Sequence, residues 1–372
     1  MVNGRVVVAP DKFKGSVSGP EAAGALAAGM VRAAPGVEVV RAPVADGGDG
    51  TVDAFLAAGW ERVEVEAEGP TGVPGPTAYA VRDETAVIEL AAVVGLAKLP
   101  GGHADPLHAS TYGLGQVIAH ALDRGVRTLV LGVGGSASSD GGAGMLQALG
   151  LRVLDVRGDE VPRGGAALAR AVGVDRSGLH PALADISVTL ASDVDNPLLG
   201  THGAVAVFAP QKGADPQQCA VLEAALANWA KLVDPDGAER PGAGAAGGTG
   251  FGAMAVLGAV ERSGIDVVLD LIGFESLVRG ADLVVTGEGS FDEQTLRGKA
   301  PMGVCRAALA AGVPVVAVAG RCPLSENELR AAGFTACHTL AEIEPDPARS
   351  MAQAVPLLER IGAALATRYL AP

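Results

Sequence analysis

The side chains able to hold or move charge gather in five short glycine-bearing segments. The first, Ala9-Pro10-Asp11-Lys12-Phe13-Lys14-Gly15-Ser16, follows an apolar run, and its two lysines are mobile point charges suited to phosphate or carboxylate. The second, Ala45-Asp46-Gly47-Gly48-Asp49-Gly50-Thr51, carries two aspartates spaced by glycine. Such carboxylates hold Mg²⁺ while leaving room for phosphate oxygens, and the same residues also make ordinary turns. The third runs from Gly132 to Gly142 and combines approachable backbone N–H groups with Ser136, Ser138, Ser139 and Asp140, just ahead of a helix N-terminus. In the fourth, Asp193, Asp195 and Asn196 leave a strand end together, and alternation sets Asp193 and Asp195 on one side. Gln211-Lys212-Gly213-Ala214 follows with another cation. The fifth, Val285–Thr295, ends at Gly298-Lys299 and lacks the glycine spacing of a Walker loop.

Lysines, paired aspartates and open backbone amides are what phosphoryl transfer requires, since that reaction is driven by positioning and charge neutralisation. No segment pairs a nucleophile with a base. There is no Gly-x-Ser-x-Gly elbow, and the six histidines lack His-Glu-x-x-His spacing, so a serine triad and zinc hydrolysis are poorly supported. One competing chemistry stays open. Gly132-x-Gly134-x-x-Ala137 with Asp155 some twenty residues on satisfies a dinucleotide fingerprint, which would make an NAD-dependent oxidoreductase. A non-catalytic small-molecule-binding module is the other alternative, because folds of this kind are reused without chemistry.

The elements that must position these segments alternate. β-branched runs at 5–9, 38–42, 128–133, 187–192, 282–286 and 314–319 are spaced by Ala-rich helical stretches, among them 19–33, 114–123, 142–149, 216–232 and 302–311. That is the pattern of a parallel sheet covered by helices. Residues 62–67 and 77–90 break it with period-2 character around a Gly/Pro turn, which predicts antiparallel hairpins. The expected architecture is α/β: a discontinuous doubly wound domain, 1–50 plus 275–372, interrupted by a mixed α/β domain, 51–274. The active site is expected in the cleft between them. Residues 236–250 read equally as a flexible linker or a mobile ligand loop.

Composition narrows the function classes. The 372 residues are 49% apolar with 28 Lys+Arg against 42 Asp+Glu, so disorder is excluded as the main state. The net charge of −14 and the lack of a basic run argue against nucleic-acid binding. No apolar stretch approaches the ~18 residues of a membrane span, and no signal segment opens the chain, so a cytoplasmic protein is expected. Four dispersed cysteines read as reduced thiols.

Taken in order, the segments resemble the class I bacterial glycerate kinases from residue 6 to about 340. The resemblance rests on Ala9–Ser16, Ala45–Thr51, Gly134–Gly144, Asp193–Gly200, Gln211–Ala214, Gly242–Gly248 and Thr286–Asp292, with Asp49 and Ser138-Ser139 as small departures. It implies a flavodoxin-like domain with an inserted α/β domain, and transfer of the ATP γ-phosphate to a hydroxyl of D-glycerate, the 2-hydroxyl favoured. ATP and Mg²⁺ are the implied cofactors, and the oligomeric state is open, a homodimer included. On this basis the expected catalytic residues are Asp193, Lys14 and Asp292. Lys12, Ser16, Asp46 and Arg297 are assigned to substrate. Gly134, Gly135, Ser136, Ser138, Gly287 and Gly289 are assigned to nucleotide, and Asp46 and Asp195 to the metal.

Overall fold

The computed structural model describes residues 4–370, which divide into two compact units. Unit 1 takes the described residues up to Asp46, Asp53–Gly59, and those from Gly264 onward; unit 2 takes Gly47–Val52 and Trp60–Ser263. Packing divides the chain after Asp46 and again before Gly264, with Asp53–Gly59 returned to unit 1, where the sequence reading placed single boundaries at 50/51 and 274/275.

Unit 1 is built on five parallel strands in the spatial order Ala336–Thr339, Val315–Arg321, Leu283–Ser290, Arg5–Pro10, Glu38–Arg41. Counted within the unit, this is the 2-1-3-4-5 order of flavodoxin-like sheets. The chain winds outward from Arg5–Pro10 in both directions, which makes a switch point between that strand and Leu283–Ser290. The strands read as near-continuous valine runs because both faces are covered. Val6 and Val8 pack into one core with Leu26, Met30, Leu358 and Ile361, and alternation turns Val7 and Val284 to the opposite face.

The helix Gly19–Ala33 begins where local chemistry dictates. Ser18 accepts from the Glu21 amide, the Glu21 carboxylate accepts from the Ser18 amide, and a proline occupies the first turn. It lies against the helix Ala354–Tyr369. Contact is backbone to backbone, since a Cβ on Gly29 would run into the Glu359 carbonyl and one on Gly362 into the Leu26 carbonyl.

Unit 2 holds a mixed six-stranded sheet ordered Val260–Arg262, Ser187–Ala191, Thr128–Gly132, Thr85–Glu89, Pro74–Arg82, Glu61–Glu68. The first four strands are parallel and the last two antiparallel, so the period-2 segments form hairpins as expected. Its core buries Tyr79, Ile88, Leu114, Trp229 and Phe251 between the sheet and its helices. Residues 236–250 are packed into unit 2 and do not form an extended linker. Pro235–Glu239 forms a 3₁₀ turn, Ala246, Gly247 and Gly248 make a left-handed turn with φ of 52°, 69° and 86° ahead of the helix that runs to Leu257, and Ala243, Ala245, Gly247 and Gly248 are buried.

The helix contact in unit 1 makes a stability prediction. Gly29→Val lowers the melting temperature by the equivalent of about 1–3 kcal/mol or more, because the branched side chain must displace a neighbouring backbone. Gly75→Ala, with nothing within 4 Å of its Cβ position, changes stability by less than about 0.5 kcal/mol.

Candidate active site

A cavity of about 630 Å³ opens over the carboxyl ends of the unit 1 strands. Asp11, Lys12, Lys14 and Ser16 reach it from the end of Arg5–Pro10, and Asp46 from the segment after Glu38–Arg41. Glu288, Gly289 and Ser290 come from the last turn of Leu283–Ser290, Arg321 from the end of its parallel neighbour, and Lys299 from the following helix start. Register explains two of these: Ser290 pairs with Arg321 across the ladder, and the Arg321 Nε donates to the Ser290 Oγ at 3.2 Å. Four cations, Lys12, Lys14, Lys299 and Arg321, and four carboxylates, Asp11, Asp46, Glu288 and Glu344, therefore line a sheet-end cavity together with Leu340, Pro347 and Met351.

The carboxylates crowd one another. Burial pushes the Asp11 carboxyl up to about 7, with Lys12 opposing and Asp46 and Glu288 adding to the rise. The Lys12 ammonium stands 3.8 Å from the Asp11 Oδ1. Burial likewise raises Glu288, against a hydrogen bond from Thr295 and the charge of Lys299. Carboxylates set among lysines suit a site where a hard cation and an anion meet.

Several expected residues take other positions. Asp292 does not line the cavity: it caps the short helix Glu293–Leu296, accepting from the Gln294 amide at 2.9 Å. Desolvation raises its carboxyl, but hydrogen bonds led by that amide outweigh it, and the net shift is downward. Arg297 pairs with Glu293 on the exposed face of the same helix, 3.9 Å apart, and is not among the lining residues. Gly287 and Gly289 belong to the strand and not to a loop, because Val315–Arg321 extends the pairing to Ser290. At Gly287 a Cβ would strike the Val318 carbonyl; its smallness serves strand packing. The sequence reading passed over Asp11, Glu288, Lys299 and Arg321 as site residues. Their position just past, or in the last residues of, parallel strands was the available signal.

In unit 2, the loop after Thr128–Gly132 is packed more deeply than its composition suggests. Gly134 is half-buried and Gly135 exposed, but Ser136 and Ser138 are buried. Asp140 is wholly buried and accepts from the Thr111 amide and hydroxyl at 2.8 and 2.9 Å and from the Gly142 and Gly144 amides at 3.2 Å. Desolvation raises its carboxyl against these bonds. It organises the loop and has no oxygen left exposed for a ligand.

Lys212 is 3% exposed, and its Nζ donates to the Ser136 Oγ at 2.7 Å and the Ser138 carbonyl at 2.5 Å. Burial lowers the ammonium from its ordinary 10.5 to about 7, and Asp140 opposes this. Gly247 leaves the room it needs, since a Cβ there would stand 2.9 Å from the Lys212 Nζ.

Asp193 and Asp195 are exposed after Ser187–Ala191, and both raise Glu261, whose own burial is the larger cause. The dinucleotide alternative fails on topology. Arg152–Leu154 joins a separate antiparallel ribbon with Gly173–Asp175 instead of flanking Thr128–Gly132. Asp155 therefore sits on an exposed turn, accepting from the Arg157 amide at 2.8 Å.

A doubly wound sheet whose switch-point cavity sets lysines and an arginine against clustered carboxylates defines an α/β enzyme for small anionic reactants. The chain matches the model of the glycerate kinase family over residues 6–370, and it belongs to that family. It is 43% identical over 343 residues to the glycerate kinase of Bacillus subtilis, covering 90% of each chain. It is 41% identical over 324 residues to the glycerate 2-kinase of Escherichia coli, covering 85% of each. A solved glycerate kinase 2 structure from Salmonella typhimurium superposes with a TM-score of 0.85 at 38% identity, over 98% of this chain and 97% of that one. The protein is thus a kinase, and neither the oxidoreductase nor the non-catalytic module is retained.

Lys212 yields a pH prediction. Between about pH 7 and 10.5 the unfolded chain holds a proton on this lysine that the folded chain has lost. Stability therefore rises with pH across that window. In paired melting curves, Lys212→Met removes this increment and leaves the remaining pH dependence in place.

Proposed function

We propose that the protein transfers the γ-phosphoryl group of ATP to a hydroxyl of D-glycerate, giving 2-phosphoglycerate, in a Mg²⁺-dependent reaction in the cytoplasm. The observation that carries this reading is the cavity of unit 1, in which Lys12, Lys14, Lys299 and Arg321 face Asp11, Asp46 and Glu288 at a sheet switch point, in a chain of the glycerate kinase family. A glycerate carboxylate and a phosphoryl group are both anions needing fixed cations, and positioning is most of what the transfer demands.

In this reading Lys14, exposed at the cavity wall, binds anionic oxygens of glycerate or of the γ-phosphate. Lys12 lies beside it, and Ser16 is held there by its hydroxyl donating to the Met351 carbonyl at 2.7 Å. Gly134, Gly135, Ser136 and Ser138 of unit 2 form the loop assigned to nucleotide, with Ser136 and the Ser138 carbonyl fixed by Lys212. Asp193 accepts the proton of the reacting hydroxyl. No cluster of three or more His, Cys, Asp or Glu spaced for a metal occurs among the described residues. Mg²⁺ needs only one or two carboxylates, its remaining ligands being water and phosphate. Asp46, which adds its charge to Asp11 and Glu288, and Asp195 are the residues proposed to hold it. When bound it would neutralise charge on the phosphates.

The test is a coupled ADP-release assay with D-glycerate, followed by phosphorus NMR of the product; absence of ADP release would overturn the reading. Lys14→Ala is expected to lower kcat/KM by roughly 10²–10³, the scale for losing one electrostatic donor. Asp193→Asn keeps the shape and removes the charge, so its loss falls mainly on kcat with the melting temperature unchanged. A change of less than a few-fold in either variant would remove that residue's role.

A further inference from the structure

A chain of three side chains reaches the cavity of unit 1 from behind. Thr295 is fully buried, and its hydroxyl is used in both directions. The Oγ1 accepts from the Asp292 amide at 3.1 Å and donates to the Glu288 Oε1 at 2.5 Å. The other oxygen of Glu288 faces the Lys299 ammonium at 4.0 Å. Glu288 is 8% exposed, Lys299 is half-buried, and both line the cavity, whereas Thr295 does not.

A carboxylate this buried has its orientation set by the hydroxyl that hydrogen-bonds it, and it is paired by charge with one ammonium. A lysine side chain has four rotatable bonds and takes a fixed direction only where a partner supplies one. The short helix Glu293–Leu296 places the hydroxyl: Asp292 caps it, and the cap brings the Thr295 Oγ1 back over Ser290.

We propose that Lys299 is an anion-binding residue of this cavity, and that Glu288 and Thr295 are positioning residues that hold its ammonium toward the bound phosphoryl or carboxylate group. The chemistry recognised is a small oxyanion. The proposal rests on the cavity's being the reactant site, and it extends that reading to residues outside the substrate loop at Lys14. It also explains the acidic residue at position 288. A lysine aimed at an anion from a fixed carboxylate is pre-oriented, and the entropy of ordering it is lost on folding and not on binding.

Three variants separate this from simple structural support. Thr295→Val keeps the side-chain shape and deletes the hydroxyl, Thr295→Ser restores it, and Lys299→Met removes the cation. Binding of D-glycerate, of inorganic phosphate and of ADP is measured by calorimetry, alongside steady-state kinetics. Thr295→Val and Lys299→Met each raise the KM for glycerate or ATP, with kcat/KM down about 10²-fold, the scale for a misplaced group. Each also weakens calorimetric binding of at least one of the three probes. Thr295→Ser stays within about threefold of the unmodified protein. The double variant Thr295→Val/Lys299→Met is no worse than Lys299→Met alone, because the hydroxyl acts only through the lysine.

Additive losses in the double variant, equal losses in Thr295→Ser and Thr295→Val, or probe binding unchanged in Lys299→Met would each overturn the proposal. If Thr295→Val does not fold, Glu288→Gln takes its place in the same cycle. The unmodified protein separates the two readings: no phosphorylation of glycerate overturns the proposed function, whereas the binding cycle judges the Lys299 assignment by itself.

Discussion

At the carboxyl ends of the unit 2 strands the chain near Gly47 passes two other backbones so closely that side chains are excluded. A Cβ on Gly47 would stand 2.5 Å from the Ala191 carbonyl oxygen, one on Gly132 2.5 Å from the Gly47 carbonyl oxygen, and one on Gly134 2.6 Å from the Gly48 Cα. Gly47 also has φ of 88°, where any side chain is strained. The same constraint recurs deeper in the unit, where the Gly141 amide donates to the Gly247 carbonyl at 3.0 Å and a Cβ on Gly248 would stand 2.9 Å from the Gly141 Cα. Part of the chain's large glycine content, 53 residues, is a packing requirement of loops stacked on loops.

Loops packed in this way bury polar groups, and buried polar groups must be satisfied from within. Asp140 and Lys212 meet that demand in unit 2. The carboxylate gathers amides and a hydroxyl from two segments. The ammonium gathers a hydroxyl and a carbonyl. Trp229 closes the arrangement, its indole N–H donating to the Gly141 carbonyl at 3.0 Å. Residues that look reactive in a list of motifs are here the internal fasteners of a backbone-lined surface.

Unit 1 resolves its charges differently. Its charged groups gather around a cavity, and burial, with a smaller contribution from neighbouring carboxylates, raises Asp11 and Glu288. A protein with net charge −14 can still attract an anionic reactant, because local field matters more than net charge within about a Debye length, roughly 8–10 Å in physiological salt. Lys12, Lys14, Lys299 and Arg321 supply that local field from three separate chain segments.

What the amino-acid order determined by itself is local. Valine runs made parallel strands, period-2 segments made hairpins, and capping boxes such as Ser18 with Glu21 started helices where they were expected. The ordered loop motifs also carried the family. Tertiary structure alone decided which side chain of each loop does what. Glu288 and not Asp292 faces the cavity, because pairing with Val315–Arg321 prolongs the strand to Ser290 and turns the following aspartate into a helix cap. Lys212 looks like one more surface cation, and residues 236–250 like a linker, until other segments close over them. In each case the deciding partner is supplied by a different stretch of chain, and spacing within one segment has no access to the contacts that burial creates.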